Sequence, residues 1–219
     1  MTMQDMIFVT GAIFCRGSRN SKNEMPVTEV KLSPYWIDTY PVTNARFVRF
    51  IESEGYHDAA YWTTMGWDFV QSHHIVKPLY WDDVVWNQPD QPVTGVSWWE
   101  ALAFAKFEGK TLPTEAQWEY AAGKGEAIYP WGSASPIEKF ANYAPGCEPS
   151  ELRRRSTSVY AHPAGVSQIG CHDMAGNLNE WCIDNFSLSY LWDFYRENPV
   201  HLNAEDGPHI VKGGSGVAR

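Results

Sequence analysis

The stretch Leu112-Pro-Thr-Glu-Ala-Gln-Trp-Glu-Tyr-Ala-Ala122 carries the strongest local signal in this chain of 219 residues. Thr114 and Gln117 form a capping box, in which each side chain accepts a hydrogen bond from an otherwise unpaired amide at a helix start. Pro113 lies just before the box, and Gly123 follows the last helix-forming residues, as is usual at the end of a short helix. The stretch therefore predicts a helix from Thr114 to about Gly123.

Two more helices have recognisable starts and ends. Ser97 and Glu100 form a second capping box, and Gly109 follows the apolar positions behind it. Thr43 is the expected N-cap of an earlier helix, from about Asn44 to Ser53, whose apolar residues recur at the spacing of one helical face. Extended structure is expected between the helices and turns, so the chain is predicted to be an α+β domain with few helices.

Strand character is visible over Thr28–Ile37 and over His209–Lys212. The stretch from about Tyr56 to Asp90 has many aromatic residues and no clear periodicity, and it is interpreted as one long packed loop. Such loops are uncommon unless they are functional. Four tryptophans in it are predicted to shape an aromatic-lined ligand groove, and the alternative is that they form local core: Trp62, Trp67, Trp81 and Trp86.

Composition excludes several classes of protein. The chain has 17 Lys and Arg against 26 Asp and Glu, a net charge of -9, which argues against a nucleic-acid binder. No run approaches the ~20 apolar residues of a membrane span. The N-terminus lacks the basic and then apolar stretch of a signal peptide, so a cytoplasmic location is expected, and the alternative is a leader that has been removed.

The cysteines do not form a metal-binding pattern. None of the four, Cys15, Cys147, Cys171 and Cys182, belongs to a Cys-x-x-Cys pair, so zinc-ribbon and thioredoxin-like sites have no support. An even count permits disulfides, but a cytosolic chain would keep its thiols reduced. Most of these residues are expected to be small buried hydrophobes.

Further short segments stand in a fixed order around the first one: Gly11-Ala-Ile-Phe14, Ile37-Asp-Thr-Tyr-Pro-Val-Thr-Asn44, Pro92-Val-Thr-Gly-Val-Ser-Trp98, Tyr129-Pro-Trp-Gly132, Asp173-Met-Ala-Gly-Asn-Leu-Asn-Glu-Trp181 and Lys212-Gly-Gly-Ser215. In this order they resemble the formylglycine-generating enzyme, or sulfatase-modifying factor, family over nearly the whole chain. The resemblance implies a single domain over residues 1–219 with a C-type-lectin-like fold, short strands and long irregular loops.

Two carboxylates seven residues apart, with a glycine between them, occur in the segment from Asp173 to Glu180. Calcium takes six to eight oxygen ligands from carboxylates and carbonyls, and such a segment is able to wrap the ion. The resemblance implies this site and assigns its ligands to Asp173, the Gly176 carbonyl, the Leu178 carbonyl and Glu180. The alternative is that these groups cap a turn and a helix start.

A second family calcium site is only half present. Asn142 and Tyr143 match its first half, which the family completes with an aspartate and a carbonyl further along the chain. No aspartate lies between Asn142 and Asp173, so the second half is missing.

Formylglycine-generating enzymes oxidise a substrate cysteine and use a pair of cysteines to bind copper(I), a soft ion that prefers thiolates. Those cysteines lie downstream of the Gly-Gly-Ser motif, but no cysteine follows Cys182 here. The non-haem iron pattern of related sulfoxide synthases, His-x3-His-x-Glu, is also absent, and the adjacent His73 and His74 would point to opposite faces of an extended segment.

The expected function is therefore a non-oxidase module that binds a ligand, protein or peptide, or an accessory domain of a larger enzyme, with calcium and without copper. The alternative is a copper-dependent formylglycine-generating oxidase whose C-terminal segment is missing from this chain or supplied elsewhere. The C-terminal part of the family fold is expected to be missing, which leaves open a partner chain that completes the fold.

Overall fold

The computed structural model of the chain describes residues 5–19, 24–124, 127–143, 155–187 and 196–214. Four α-helices lie within these ranges, together with short 3-10 turns at Ala59–Tyr61 and Pro163–Gly165; the helices are Asn44–Glu52 (α1), Thr64–Ser72 (α2), Trp98–Phe107 (α3) and Glu115–Gly123 (α4). No described helix is long and apolar enough to cross a membrane.

Three helices begin where the sequence predicts. Thr43 caps α1 by accepting a hydrogen bond from the Arg46 amide. Ser97 and Thr114 head complete capping boxes at the starts of α3 and α4, so two otherwise unpaired amides are satisfied at each start. These caps fix the helix starts within one residue of the predicted positions.

The interpretation of residues 56–90 as one long loop is wrong, because α2 lies inside it. Thr63 caps this helix by accepting a hydrogen bond from the Gly66 amide, and Gly66 and Val70 are buried. A side chain at position 66 would meet the Trp99 ring at 2.9 Å, so glycine lets α2 pack closely on α3. Gly66 weakens the helical signal in the sequence, but the packing of α2 on α3 requires it.

The strands pair in three separate antiparallel sheets of two strands each, within the described residues. Met6–Val9 (β1) pairs with Tyr35–Asp38 (β4), Ala12–Arg16 (β2) pairs with Thr28–Leu32 (β3), and Glu180–Asn185 (β5) pairs with His209–Lys212 (β6). The strand predicted over Thr28–Ile37 is thus two strands in different sheets. The chain leaves one sheet for the other at Ser33 and Pro34, and proline cannot continue a ladder.

The main core is aromatic and lies among α1, α2 and α3. Phe47, Phe50, Tyr56, Trp62 and Phe104 are each no more than 6% exposed and pack together. A second cluster joins α4 to the sheets through Trp118, Ala121, Cys171, Met174 and Cys182. Cys171 and Cys182 are buried free thiols, as predicted, whereas Cys15 is exposed and Cys147 lies outside the described residues.

Candidate functional site: an apolar cavity with two buried carboxylates

A cavity of about 730 Å³ opens between the β1–β4 sheet, α3, the segment after α3 and the segment before β5. Its walls come from parts of the chain that are far apart in sequence, chiefly residues 35–38, 108–113 and 172–181. Ligand sites in proteins are typically concave and mostly apolar, with a few converging polar groups. This cavity fits that description and is the candidate functional site.

Three tryptophans, Trp36, Trp118 and Trp181, contribute to the cavity wall. The Trp118 indole donates a hydrogen bond of 2.9 Å to a Glu180 oxygen, and the Trp181 indole donates one of 3.1 Å to the Val96 carbonyl. Each bond holds its ring in one orientation. The apolar wall is therefore built from rings that are already positioned before any ligand enters.

A network of opposite charges lines part of the cavity. Lys110 contacts Asp38 at 2.7 Å and Glu108 at 3.1 Å, and Arg46 contacts Asp38 at 3.0 Å and also pairs with Glu108. Burial opposes ionisation of Glu108, but hydrogen bonds from Arg46 and Lys110 outweigh it and hold the pKa of Glu108 below its ordinary value. The ion pairs of Asp38 therefore lie on the cavity wall.

The predicted cation segment also lines the cavity. Burial raises the pKa of Asp173 to about 6, against a hydrogen bond from Asn177 that lowers it. Burial also raises the pKa of Glu180 to about 7, with the Trp118 hydrogen bond opposing the shift and the charge of Asp173 adding to it. Among the described residues neither carboxylate forms an ion pair with Lys, Arg or His, so no cation offsets the burial of either charge.

Gly176 and Asn177 give this segment its shape. Gly176 has a φ of 88°, and a Cβ there would come within 2.5 Å of the Asn142 carbonyl oxygen. The Asn177 amide donates to that carbonyl at 2.8 Å, and the Asn177 side chain donates to Asp173 at 2.9 Å. The segment is thus a rigid turn anchored on residue 142, and Asp173 is held in it.

The oxygens expected to bind calcium are partly gathered here. Asp173, Leu178 and Glu180 all line the cavity. The Leu178 carbonyl lies close to Gly213, about 3.5 Å from where a side chain there would begin. Carboxylates and carbonyls are the oxygens that a hard cation takes, although no group of three His, Cys, Asp or Glu side chains gathers among the described residues.

The second half-site has neutral oxygens only. Asn142 is 1% exposed and its side-chain oxygen has no described partner, and the same is true of the Ser156 hydroxyl. The Asn142 amide donates to the Arg155 carbonyl, immediately before Ser156, so the two orphaned oxygens share one region. Tyr143 directs its hydroxyl to the Pro136 carbonyl at 2.5 Å. Without a carboxylate, this group does not fit calcium.

The four tryptophans predicted to shape a ligand groove lie elsewhere. Trp62 is buried in the aromatic core, and Trp67 and Trp81 pack against that core while remaining partly exposed. Trp86 is also partly exposed and lies beside Tyr80, with ring centres 5.8 Å apart. None of the four lines the cavity, and their role in ligand binding stays a prediction.

Sequence reasoning missed the tryptophans that do line it. Trp118 and Trp181 stand inside the quoted motifs, so that signal was present, but nothing local distinguishes them from core residues. His172 was also missed: it lines the cavity, stacks on Tyr40 at 4.4 Å and has a buried Nδ1 without a described partner. Burial lowers the pKa of His172, which keeps its ring neutral at pH 7.

The buried cysteines do not form a thiolate site. Burial raises the pKa of Cys171 to about 12, and it raises the pKa of Cys182 well above its ordinary value. Both are therefore protonated thiols at neutral pH, and a protonated thiol is a poor ligand and a poor nucleophile.

A sequence model of the family described as "Sulfatase-modifying factor enzyme 1-like domain" matches residues 1–219. The chain belongs to the sulfatase-modifying factor family. A formylglycine-generating enzyme of Thermomonospora curvata is 31% identical over 254 residues, which cover 96% of this chain and 82% of that protein. A hercynine oxygenase of Mycolicibacterium smegmatis is 32% identical over 80% of this chain and 42% of its own length.

Other relatives are much longer than this domain. The serine/threonine-protein kinase Pkn1 of Chlamydia trachomatis is 32% identical over 97% of the chain. The chain spans about a third of the length of that kinase (33%) and of its relatives in two other Chlamydia species. Similar sequences therefore occur in proteins named formylglycine-generating enzyme and hercynine oxygenase, and as a part of longer proteins named as kinases.

Solved structures confirm the fold. PvdO from Pseudomonas aeruginosa superposes with a TM-score of 0.65 over 97% of this chain and 83% of its own, at 19% identity. A Treponema denticola variable protein superposes with a TM-score of 0.61, covering 98% of this chain and 84% of its own, again at 19% identity. The predicted α+β, C-type-lectin-like fold is confirmed.

Proposed function

We propose that this chain is a binding module of the sulfatase-modifying factor family that takes an apolar segment of a protein or peptide into its cavity. The cavity carries the proposal. At about 730 Å³ it is in the ordinary size range of ligand sites, roughly 300–1,000 Å³. Ring-lined walls with a few charged groups among them are suited to hold and orient such a ligand.

The alternative is a formylglycine-generating oxidase, which the relative in Thermomonospora curvata favours. Copper(I) chemistry needs accessible thiolates, and the two buried cysteines are protonated thiols. The chain as given is therefore expected to leave a cysteine-containing sulfatase-type peptide unoxidised when incubated with copper and oxygen. Mass spectrometry of the peptide decides between the two functions, since an aldehyde product above the protein-free control would establish the oxidase.

Binding in the cavity is tested with an apolar dye, 8-anilinonaphthalene sulfonate, whose emission rises in apolar sites. Ala101 lines the cavity, so Ala101→Trp places a large ring inside it. Dye affinity is expected to fall at least fivefold, because the added ring occupies the space. Lys106→Trp introduces the same residue on the exposed side of the same helix and should leave affinity unchanged. Equal affinity in both variants would mean that the dye, and the binding function, lie elsewhere.

We also propose that Asp173 and Glu180 hold a calcium ion, with the Gly176 and Leu178 carbonyls completing the site. The support is that the two carboxylates line one cavity, that burial opposes the charge of each, and that no described cation pairs with either. A divalent cation would neutralise both charges and would fix the turn from Asp173 to Glu180.

Calcium is expected to raise the melting temperature of the wild-type chain by several degrees relative to chelator, because the ion binds only the folded state. Glu180→Gln should remove this shift, while Glu197→Gln, at an exposed position, should keep it. A wild-type chain that melts at the same temperature in calcium and in chelator rules the site out.

A further inference from the structure

The strand β4 presents its edge to the cavity. All four of its residues, Tyr35, Trp36, Ile37 and Asp38, line the cavity wall. Successive side chains of a strand point to opposite faces of a sheet, so a cavity beside one face would be lined by every second residue. Lining by four consecutive residues places the cavity along the edge of the strand, where the backbone itself is accessible.

The register of the β1–β4 sheet shows which backbone groups face that edge. The Thr39 amide donates to the Asp5 carbonyl at 2.9 Å, directly before the pair Met6–Asp38 in the ladder. Hydrogen-bonded and non-hydrogen-bonded pairs alternate in an antiparallel ladder. Ile37 and Tyr35 therefore bond to β1, and the amide and carbonyl groups of Trp36 and Asp38 point away from it.

These outward groups have no backbone partner among the described residues, where β4 pairs with β1 alone. An unpaired strand edge is a template for pairing with another chain. A two-stranded sheet is also marginally stable by itself, and a third strand adds both hydrogen bonds and an apolar face. The ligand that satisfies alternating amides and carbonyls is a polypeptide backbone.

We propose that an extended segment of another polypeptide adds to the free edge of β4, inside the cavity, as a third strand. This rests on the proposed binding function and names the form of its ligand. On one face of the sheet, Ile7 and Ile37 pack against the cluster around Trp118. On the other face, Phe8 and Trp36 are 49% and 44% exposed, with ring centres 5.0 Å apart.

The two faces set the sequence pattern of the partner segment. Residues on the Ile37 face extend a buried cluster and should be apolar, whereas residues on the Trp36 face should be polar or amphipathic. The cavity wall holds four carboxylates, from Asp38, Glu108, Asp173 and Glu180, against two cations, Arg46 and Lys110. Lysine or arginine at the polar positions therefore complements the wall better than aspartate or glutamate.

The test uses a panel of end-blocked octapeptides in which valine or isoleucine alternates with lysine, threonine or aspartate. Binding to the wild-type chain is measured by fluorescence anisotropy in calcium-free buffer. Trp36→Pro removes the outward amide and adds a ring at the edge, yet spares the bonds to β1. Trp36→Thr is the matched control, because it loses the same side chain and keeps the amide. Affinity should fall at least tenfold in Trp36→Pro relative to Trp36→Thr.

A second measurement does not depend on how a variant folds. Methylating alternate backbone nitrogens of a bound peptide blocks either the edge that faces β4 or the edge that faces away. One of the two methylation patterns should abolish binding to the wild-type chain and the other should leave it within about twofold. Equal affinity of both patterns overturns strand addition.

The outcomes distinguish failure of strand addition from failure of the proposed binding function. If the dye enters the cavity and no octapeptide binds, strand addition is wrong and the binding module stands. If neither the dye nor the peptides respond to filling the cavity at Ala101, the binding function fails as well. Tighter binding of aspartate-containing than of lysine-containing peptides would overturn the proposed charge of the partner segment.

Discussion

The two halves of this domain are stabilised by different means. In the helical half, Phe50 is fully buried and its ring contacts the rings of Phe47, Tyr56, Trp62 and Phe104. The half that contains the sheets instead buries ionic and polar groups, including Arg16, Glu115, Asn142, Asn177 and Asp184, each no more than 6% exposed. Both halves contain buried ionisable groups, since the helical half also buries Glu100, which accepts a hydrogen bond from the Tyr56 hydroxyl at 2.6 Å. The helical half differs in resting mainly on contacts between aromatic rings.

Helix α3 belongs to both halves. Ala103 and Phe107 belong to or pack against the aromatic core, while Ala101 and Ala105 line the cavity, and Phe104 contributes to both. The same helix therefore supplies a packed core face and part of the cavity wall.

The largest expected effect is in the aromatic core. Phe50→Ala should lower the free energy of unfolding by about 3–5 kcal/mol, because it removes a buried ring and leaves a cavity among rings that cannot close over it. Urea denaturation followed by circular dichroism measures this loss. Phe8→Ala makes the same change at a half-exposed ring and should cost less than about 1 kcal/mol. If both variants lowered the free energy of unfolding by a similar amount, the proposed difference between the two halves would be wrong.

The next effect concerns the buried charges of the sheet half. Glu115 pairs with Arg16 and, at 2.9 Å, with Lys212, and these two cations outweigh burial and lower the pKa of Glu115. Glu115→Gln should cost about 3 kcal/mol near pH 7, since it removes the charge that Arg16 and Lys212 both pair with, although Lys212 keeps its contact with Glu119 at 3.3 Å. Glu197→Gln breaks only an exposed pair with Lys31 and should cost less than about 1 kcal/mol.

The pH dependence gives the sign of this effect. A carboxylate whose pKa is lowered by folding stabilises the folded state above its ordinary pKa, roughly 4.3, and loses that contribution as pH falls through the lowered value. The wild-type chain should therefore lose stability on acidification below about pH 5, and Glu115→Gln should flatten that limb of the profile. If Glu115→Gln lost as much stability below pH 5 as the wild-type chain, other carboxylates would be responsible for the acid destabilisation.

The smallest effect is at Glu180 and has the opposite sign. The pKa of Glu180 is about 7, so folding favours its protonated form, and the metal-free chain should become less stable as pH rises from about 5 to 8. Glu180→Gln should stabilise the metal-free chain at pH 8 by on the order of 2 kcal/mol. Thermal melts in chelator at pH 5.5 and pH 8 measure it. Calcium should reverse the trend, because the ion needs the deprotonated carboxylate.

The sequence predicts the local features of this fold well and the cavity poorly. Ser97–Glu100 and Thr114–Gln117 define helix starts because a capping box is a contact between residues three apart. Helix α2 was not predicted, because Gly66 in its first turn weakens the helical signal. The reason for a glycine there is its close contact with Trp99, which only the structure shows. The sequence shows a proline at position 34, but it does not show that the chain passes there from one sheet to another.

The candidate site could be predicted only in part. Asp173 and Glu180 belong to one continuous motif, and both line the cavity in the structure. The free edge of β4, the segment after α3 and Trp118 meet only through tertiary packing. Their approach depends on three two-stranded sheets whose arrangement no local pattern encodes, so the cavity was not foreseeable from residue types alone.

The hydrogen bond from the Trp118 indole to Glu180 gives the molecule a built-in optical reporter. Trp118 lies where the cation segment and the apolar wall meet, so its emission would respond to protonation of Glu180, to an ion and to an inserted peptide. With 11 tryptophans in the chain, the useful signal is the difference between the wild-type spectrum and that of Trp118→Phe. One chromophore would then report in real time which of these events comes first.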